Sequence, residues 1–327
     1  MAARKARSVE LNSKPNTQCE GDCNKEKRKE KTEDDICKTV VSVVDGLPIR
    51  CVGSWAMRKI HYLIRYFAIF SRSMNKHWEG LNYVEICSGV GRCVFRDNCE
   101  EVDGTALAIL NHPNLEYLKR AIFIDVNSTV VDILNKRIEA ANKADKARGM
   151  VGSYTDTASI MEALSTLSPR CLNFVLIDPT DCSVPFETIR TIKKALGKVD
   201  FLINVPIFMD AGRNLGRATL NPQSYAGSLK KYASFLGDDT FFQREDVRDY
   251  ARVSNAGALR NAFMQRYVEQ FRALGYEYCD TNENVQNNGR NLYNLFFASG
   301  HELALQFWRK ATSYNEAGQI SFLADLN

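Results

Sequence analysis

Tyr83-Val84-Glu85-Ile86-Cys87-Ser88-Gly89-Val90-Gly91-Arg92 decides how the rest of the chain is read. Tyr83, Val84, Ile86 and Cys87 form a short apolar run, broken by one acid and closed by Gly-Val-Gly, which is the pattern of a buried strand feeding a tight turn. Glycine has no Cβ, so backbone in such a turn lies open to a ligand. In an α/β unit the turn stands at the carboxyl ends of the strands, where ligands bind. A nicotinamide fingerprint would need a glycine three residues after Gly91, where Val94 stands, and a phosphate loop would need Gly-Lys-Ser/Thr, which is absent. An acid inside the first strand, a short Gly-x-Gly turn and Asp125 closing the next apolar run (Ala121-Ile122-Phe123-Ile124) together suit S-adenosylmethionine, which offers ribose hydroxyls but no phosphate. The competing reading, a Gly-x-Gly pair that only turns a loop, stays open on these residues alone.

Outward from the turn, apolar strands and helices alternate. Strands are expected at 121–125, 172–177 and 201–205, and a short strand and loop over 150–156, with helices between them from about 127, 158 and 185. That rhythm predicts a parallel sheet covered on both faces, with right-handed crossovers. Tyr276-Glu277-Tyr278-Cys279 and Leu292 to Ala298, around the turn signal Asn287-Asn288-Gly289, predict a closing antiparallel pair. The expected fold class is therefore α/β: a Rossmann-like class I methyltransferase fold, with a mostly parallel seven-stranded sheet, helices on both faces and a helical insertion. Upstream, Ser54 is expected to cap a helix whose Trp55, Tyr62, Leu63, Tyr66, Phe67 and Phe70 share one face. Lys59, at the margin of that stripe, needs a partner.

The 327 residues, 45% hydrophobic, can bury a large core, and a formal net charge of +4 neither requires nor excludes nucleic acid. No long apolar run or signal-like amino terminus is present, so no membrane contact is expected and a cytoplasmic location is. Ten cysteines without a C-x-x-C pair point to buried thiols, and no metal site is expected, although Cys19, Cys23 and Cys37 leave a zinc reading open. Four segments are expected. Residues 1–36, mixed in charge and poor in apolar groups, read as a disordered arm that folding does not need. Residues 37–205 carry the first helix and the cofactor half, 206–256 form an insertion that could contact nucleic acid or a partner, and 257–327 complete the sheet and a terminal helix.

The cofactor-binding residues expected from the strand ends and turn are Glu85, Cys87, Ser88, Gly89, Gly91, Arg92, Asp125 and Asp156. Asp178 and Pro179, closing the 172–177 strand, are the expected catalytic pair, because a carboxylate and a following carbonyl can accept the hydrogens of an amino nucleophile. Lys59, Thr180 and Asn204 are the expected substrate or partner contacts. Asp178 also fits an aspartate that only caps a loop before proline. Cys87, Cys93 and Cys182 could be nucleophiles but lack a Pro-Cys setting and fit buried thiols.

Gly53-Ser54-Trp55 with Lys59 and Leu63, the Tyr83–Arg92 turn, Asp103-Gly104-Thr105-Ala106-Leu107-Ala108, Ile177-Asp178-Pro179, and Leu292-Tyr293 before Phe296-Phe297-Ala298-Ser299 carry a resemblance. From about 50 to 310 the chain resembles the three-Cys-motif partner proteins, methyltransferase-like proteins of bacteria often found beside a gene for a cysteine-motif protein resembling radical-SAM enzymes. The resemblance implies a methyl transferase acting on nucleic acid or a partner-linked substrate, or else a non-catalytic methyltransferase-like subunit of the cysteine-motif protein. The family usually has Phe-Ala-Gly-Pro-Gly at Cys87-Ser88-Gly89-Val90-Gly91 and Asp-Pro-Tyr-Gly at Asp178-Pro179-Thr180-Asp181; Thr180 leaves no aromatic ring to clamp a base.

Overall fold

The computed structural model describes residues 14–21, 23, 30–33 and 36–313. Strands β1 (Lys14–Pro15), β2 (Thr32–Glu33), β3 (Ile36–Val41) and β4 (Pro48–Val52) precede helix α1 (Ala56–Met74). The predicted apolar stripe of α1 is buried from Tyr62 to Phe70, but its cap is not Ser54. Trp55 occupies that position without a side-chain bond, and Ser54 instead donates from its N–H and hydroxyl to Asp97 Oδ2, at 3.0 and 2.8 Å. A longer-range carboxylate has outcompeted the local capping bond.

Strand β5 (Leu81–Ile86) leads through the glycine turn into β6 (Arg92–Phe95) and β7 (Glu100–Asp103), then α2 (Thr105–Leu110). The alternating units follow: β8 (Leu118–Asp125), α3 (Ser128–Ala140), β9 (Ala147–Val151), α4 (Thr157–Leu164), β10 (Leu172–Ile177), α5 (Phe186–Leu196) and β11 (Val199–Val205). The segment after β11 is helical, as expected, with α6 (Gly212–Leu220), α7 (Ala226–Leu236) and α8 (Glu245–Arg252) before α9 (Ala256–Ala273). Strands β12 (Tyr278–Asn287) and β13 (Arg290–Ser299) and helix α10 (Glu302–Thr312) close the described chain.

The seven-stranded sheet has the order β12-β13-β11-β10-β5-β8-β9, parallel from β9 to β11, with β13 antiparallel to both of its neighbours. This is the Rossmann-like class I methyltransferase fold, and its one antiparallel hairpin turns at Asn288 and Gly289, both at positive φ. Helices α4, α5, α7 and α9 pack on one face through Ile160, Phe186, Tyr232, Phe263 and Phe271. On the other face α1, α2, α3 and α10 pack through Tyr66, Phe67, Leu107, Leu134 and Trp308. None of the described helices is long and apolar enough to cross a membrane.

A second sheet, absent from the sequence reading, has the order β1-β7-β6-β4-β3-β2. Part of the 1–36 segment joins it: Lys14 and Pro15 pair with Glu101 and Glu100. Asn16 is 1% exposed and donates from Nδ2 to the Val41 carbonyl at 2.8 Å. Composition argues disorder by counting what a segment can bury alone, whereas this one takes its partners from a hairpin some 85 residues away. Residues 1–13, 22, 24–29 and 34–35 of the arm lie outside the described residues.

Candidate functional site

The glycine turn is shaped by three residues in the left-handed region: Cys87 (φ 66°), Gly89 (φ 64°) and Gly91 (φ 88°). Glycine takes this conformation freely, but at Cys87 a side chain is held there because Cys87 N and Ser88 N both donate to the Ile124 carbonyl, at 2.9 and 3.2 Å. Gly91 is needed for packing as well: a Cβ there would come within 2.9 Å of Leu134 and 3.0 Å of Leu107. At the end of β8, Asp125 fixes the turn by accepting the Gly89 N–H on Oδ2 at 3.0 Å and the Asn127 N–H on Oδ1 at 3.2 Å.

Two cavities open at this turn. The larger, about 370 Å³, is lined by Lys59, Ser88, Gly91, Asn204 and Tyr293 among others, and the smaller, about 250 Å³, by Cys87, Asp125, Gly152 and Tyr154 among others. Arg50, Gly89, Val90, Asp178, Pro179 and Thr180 line both, so the cavities meet over the turn. Tyr154 is positioned by a hydroxyl contact with Ser183 Oγ at 2.8 Å.

Asp178, 7% exposed, closes β10 at the junction. Lys59 finds its partner here, in an ion pair between its Nζ and Asp178 Oδ2, both side chains largely buried. Asn204, at the end of β11, donates from one amide nitrogen to Asp178 Oδ1 at 3.0 Å and to the Pro179 carbonyl at 3.2 Å. That orientation leaves Asn204 Oδ1 buried without a hydrogen-bond partner, and Ser88 Oγ is in the same condition. Unsatisfied buried polar atoms facing a cavity are costly unless a ligand or water meets them.

Three of the residues expected to bind cofactor do not line either cavity. Glu85 is fully buried under the turn and accepts from the Tyr83 hydroxyl at 2.8 Å and from the Thr105 hydroxyl. Burial pushes its carboxyl up to about 8, against the opposing pull of those two hydroxyls. Arg92 turns into the small sheet, toward Asp103 (3.1 Å), Glu101 (3.5 Å) and Asp45 (3.8 Å). It belongs to strand β6 rather than to the loop, and alternation sends its side chain away from the cleft. Asp156 is exposed and caps α4, accepting the Ala158 N–H at 3.0 Å; a helix that starts six residues past the end of β9 claims the carboxylate locally.

Sequence reasoning missed Arg50, Trp55, Arg96, Tyr154 and Tyr293, all in the cavity walls. Arg50 alone had a readable signal, an arginine between Ile49 and Cys51 in an apolar strand. Burial raises the thiols of Cys87, Cys93 and Cys182, which keeps them protonated near neutral pH and works against a thiolate nucleophile. All ten cysteines are free, and among the described residues no group of three His, Cys, Asp or Glu is arranged to hold a metal ion.

No protein-family model matches the chain, and no curated protein matches it. Solved structures that it is similar to include an O-methyltransferase from Bacillus cereus in complex with SAH, at 13% identity and a TM-score of 0.37, covering 73% of this chain and 79% of that one. A protein from Legionella pneumophila aligns at 11% identity and a TM-score of 0.44, covering 82% of this chain and 96% of its own. A human methyltransferase 10 domain containing protein aligns at 11% identity and a TM-score of 0.37, covering 73% and 83%. Figures of this size do not carry shared chemistry, which has to be argued from the site itself.

Proposed function

We propose that this chain is a methyltransferase-like protein that binds S-adenosylmethionine over the Gly89 turn and transfers a methyl group to nucleic acid or to a partner-linked substrate in the larger cavity. The observation that carries the reading is the position of Gly89, whose N–H is held by Asp125 while its bare α-carbon opens where two cavities meet. The residues present suit the group. Each Asp125 oxygen takes one backbone N–H and keeps a lone pair, so the carboxylate can still accept ribose hydroxyls. Gly152 and Tyr154 would border the base, and Ser88 and Gly89 the amino-acid end.

When bound, the cofactor supplies a methyl group made electrophilic by its sulfonium. Direct displacement asks the protein mainly for alignment and placement of charge. Asp178 is held rigid by Lys59 on one oxygen and Asn204 on the other, at the junction the acceptor must reach. Asn204 Oδ1 offers a hydrogen-bond acceptor for the N–H or O–H of the nucleophile. Arg96 over the Trp55 ring, 4.8 Å from its centroid, gives the wall of the larger cavity a cationic and aromatic surface of the kind that suits a nucleic-acid acceptor.

One observation favours a second reading. The Asn204 amide already spans Asp178 Oδ1 and the Pro179 carbonyl, the two acceptors an amino nucleophile would use. On that ground the chain would be a non-catalytic subunit that partners a cysteine-motif radical-SAM-like protein, as its resemblance to the three-Cys-motif partner proteins implies. Radiolabelled methyl transfer to total cellular nucleic acid and protein separates the two, run beside calorimetric titration of the cofactor. Transfer by the parent that falls about tenfold or more in Asp178→Ala, with cofactor affinity retained, supports the enzyme. Absence of transfer to any acceptor moves the reading to the subunit, and absence of cofactor binding removes the enzyme.

A further inference from the structure

Gly89 touches an acid and a cation at once. Its N–H is held by Asp125, and a Cβ built on it would lie 3.4 Å from Arg50 Nη1. Arg50 comes from the small sheet, not from the seven-stranded one. Strand β4 runs parallel to β6 with Arg50 level with Cys93, and burial alternates along it, Ile49 and Cys51 facing the small core while Arg50 stays half-buried toward the cleft. Around the smaller cavity Arg50 carries the one positive charge among the described lining residues, against Asp125 and Asp178. In the larger cavity Lys59 is committed to Asp178, and Arg96 lies over Trp55. The larger cavity, which Arg50 also lines, holds the hydroxyl of Ser88, the residue before Gly89, 5% exposed and without a hydrogen-bond partner.

We propose that Arg50, together with the Ser88 hydroxyl, binds the α-carboxylate of the cofactor's amino-acid end, so that the small sheet completes a site the seven-stranded sheet only half builds. The proposal rests on the S-adenosylmethionine reading and adds to it the residue that separates ligands with that carboxylate from ligands without it. A nucleoside whose ribose is held at Asp125 must run its thioether chain past Gly89, and the carboxylate at its far end needs N–H or O–H donors. A guanidinium offers a planar fork matched to a carboxylate, and a neighbouring hydroxyl adds one donor more.

Calorimetric titration of the full chain with S-adenosylhomocysteine and with its decarboxylated counterpart, which keeps the nucleoside, the thioether and the amine, tests this without any acceptor. The parent should bind the carboxylate-bearing ligand about tenfold or more tighter. Arg50→Gln should lose about tenfold or more in affinity for S-adenosylhomocysteine while its affinity for the decarboxylated ligand stays within about threefold. Arg50→Lys, which keeps the charge but not the fork, should retain part of the discrimination, and Ser88→Ala should lose a few-fold for the carboxylate ligand alone. A parent that binds both ligands equally overturns the proposal, as does an Arg50→Gln variant that weakens both alike or neither. Should Arg50→Gln not fold, the parent's ligand pair and Arg50→Lys still decide. A parent that binds neither ligand instead overturns the cofactor reading itself.

Discussion

The two sheets meet at one cleft but are held together by different forces. In the seven-stranded sheet β5 and β11 are buried along their whole length, and their neighbours supply Phe123, Phe174 and Phe297 to a continuous apolar core. In the six-stranded sheet the apolar cluster is small (Val40, Ile49, Cys51 and Val94), and strand β7 carries a fully buried acid. Glu101 accepts from the Ser42 hydroxyl, from the Val43 N–H at 2.9 Å and from Asn16 Nδ2 at 3.3 Å, with Arg92 Nε 3.5 Å away. Area burial sets the first sheet and leaves a firm row of strand ends. The second is a polar flap knit by one carboxylate, and it brings Arg50, Cys93 and Arg96 to the same cavity. The site therefore depends on both forces.

Removing the buried acid of the flap breaks the comparison most directly. Glu101→Ala takes the acceptor from the Ser42 hydroxyl and the Val43 N–H and one of three acids from Arg92, which should cost about 3–5 kcal/mol in urea denaturation, whereas Ile86→Val in the apolar sheet should cost about 0.5–1.5 kcal/mol. If the two variants lose the same stability, the small sheet is not held by its carboxylate.

The large sheet has one polar exception of its own, and pH reveals it. Glu85 rises on folding from 4.5 to about 8 through burial, so the folded chain keeps a proton that the unfolded chain releases. A raised acid contributes stability that falls as pH climbs from about 4.5 and is fully lost by about 8, a swing of up to a few kcal/mol. Glu85→Gln has no such proton to release, so its melting temperature should gain on the parent's between about pH 5 and about pH 9. Parallel pH profiles for the two proteins would show that Glu85 ionises in place without penalty.

How much could be read beforehand follows from the same contrast. Strands β5, β8, β10 and β11 are apolar runs ended by turn residues, so local pattern finds them; Asn288-Gly289 marks the hairpin for the same reason. Strands β1, β2, β6 and β7 are two to four residues long, all but β6 polar, and paired across distances such as Lys14 to Glu101, which no local period records. Site residues at the ends of the large strands (Ser88, Gly89, Asp125, Asp178, Asn204) could be located from the pattern, and they do line the cavities. Arg50 stands out as an arginine in an apolar strand but could not be placed at the turn, because its approach to Gly89 depends on the small sheet, into which the Arg92 side chain also turns.

A smaller effect sharpens the division at the strand ends themselves. Asp125→Ala should weaken S-adenosylhomocysteine by about 1.5–3 kcal/mol in calorimetric titration, since it removes charged acceptors for the ribose and frees the Gly89 N–H. Circular dichroism should show the variant folded. Unchanged affinity would mean that the carboxylate serves the turn and not a ligand.

The smallest expected effect separates the two acids that follow neighbouring strands. Asp156 stands just past β9 as Asp125 ends β8, and by position alone either could edge a nucleoside. Their partners differ: Asp125 sits in the smaller cavity and holds the turn, whereas the exposed Asp156 spends its carboxylate on the Ala158 N–H at the start of α4. An exposed N-cap is worth about 1 kcal/mol, so Asp156→Ala should lower stability by roughly that amount in urea denaturation. Its affinity for S-adenosylhomocysteine should match the parent's, while Asp156→Asn, which still caps, should leave both quantities unchanged. A variant that keeps its stability but loses affinity would reverse the assignment, because it would mean that the loop after β9 closes on the ligand and turns the carboxylate from the helix to the base.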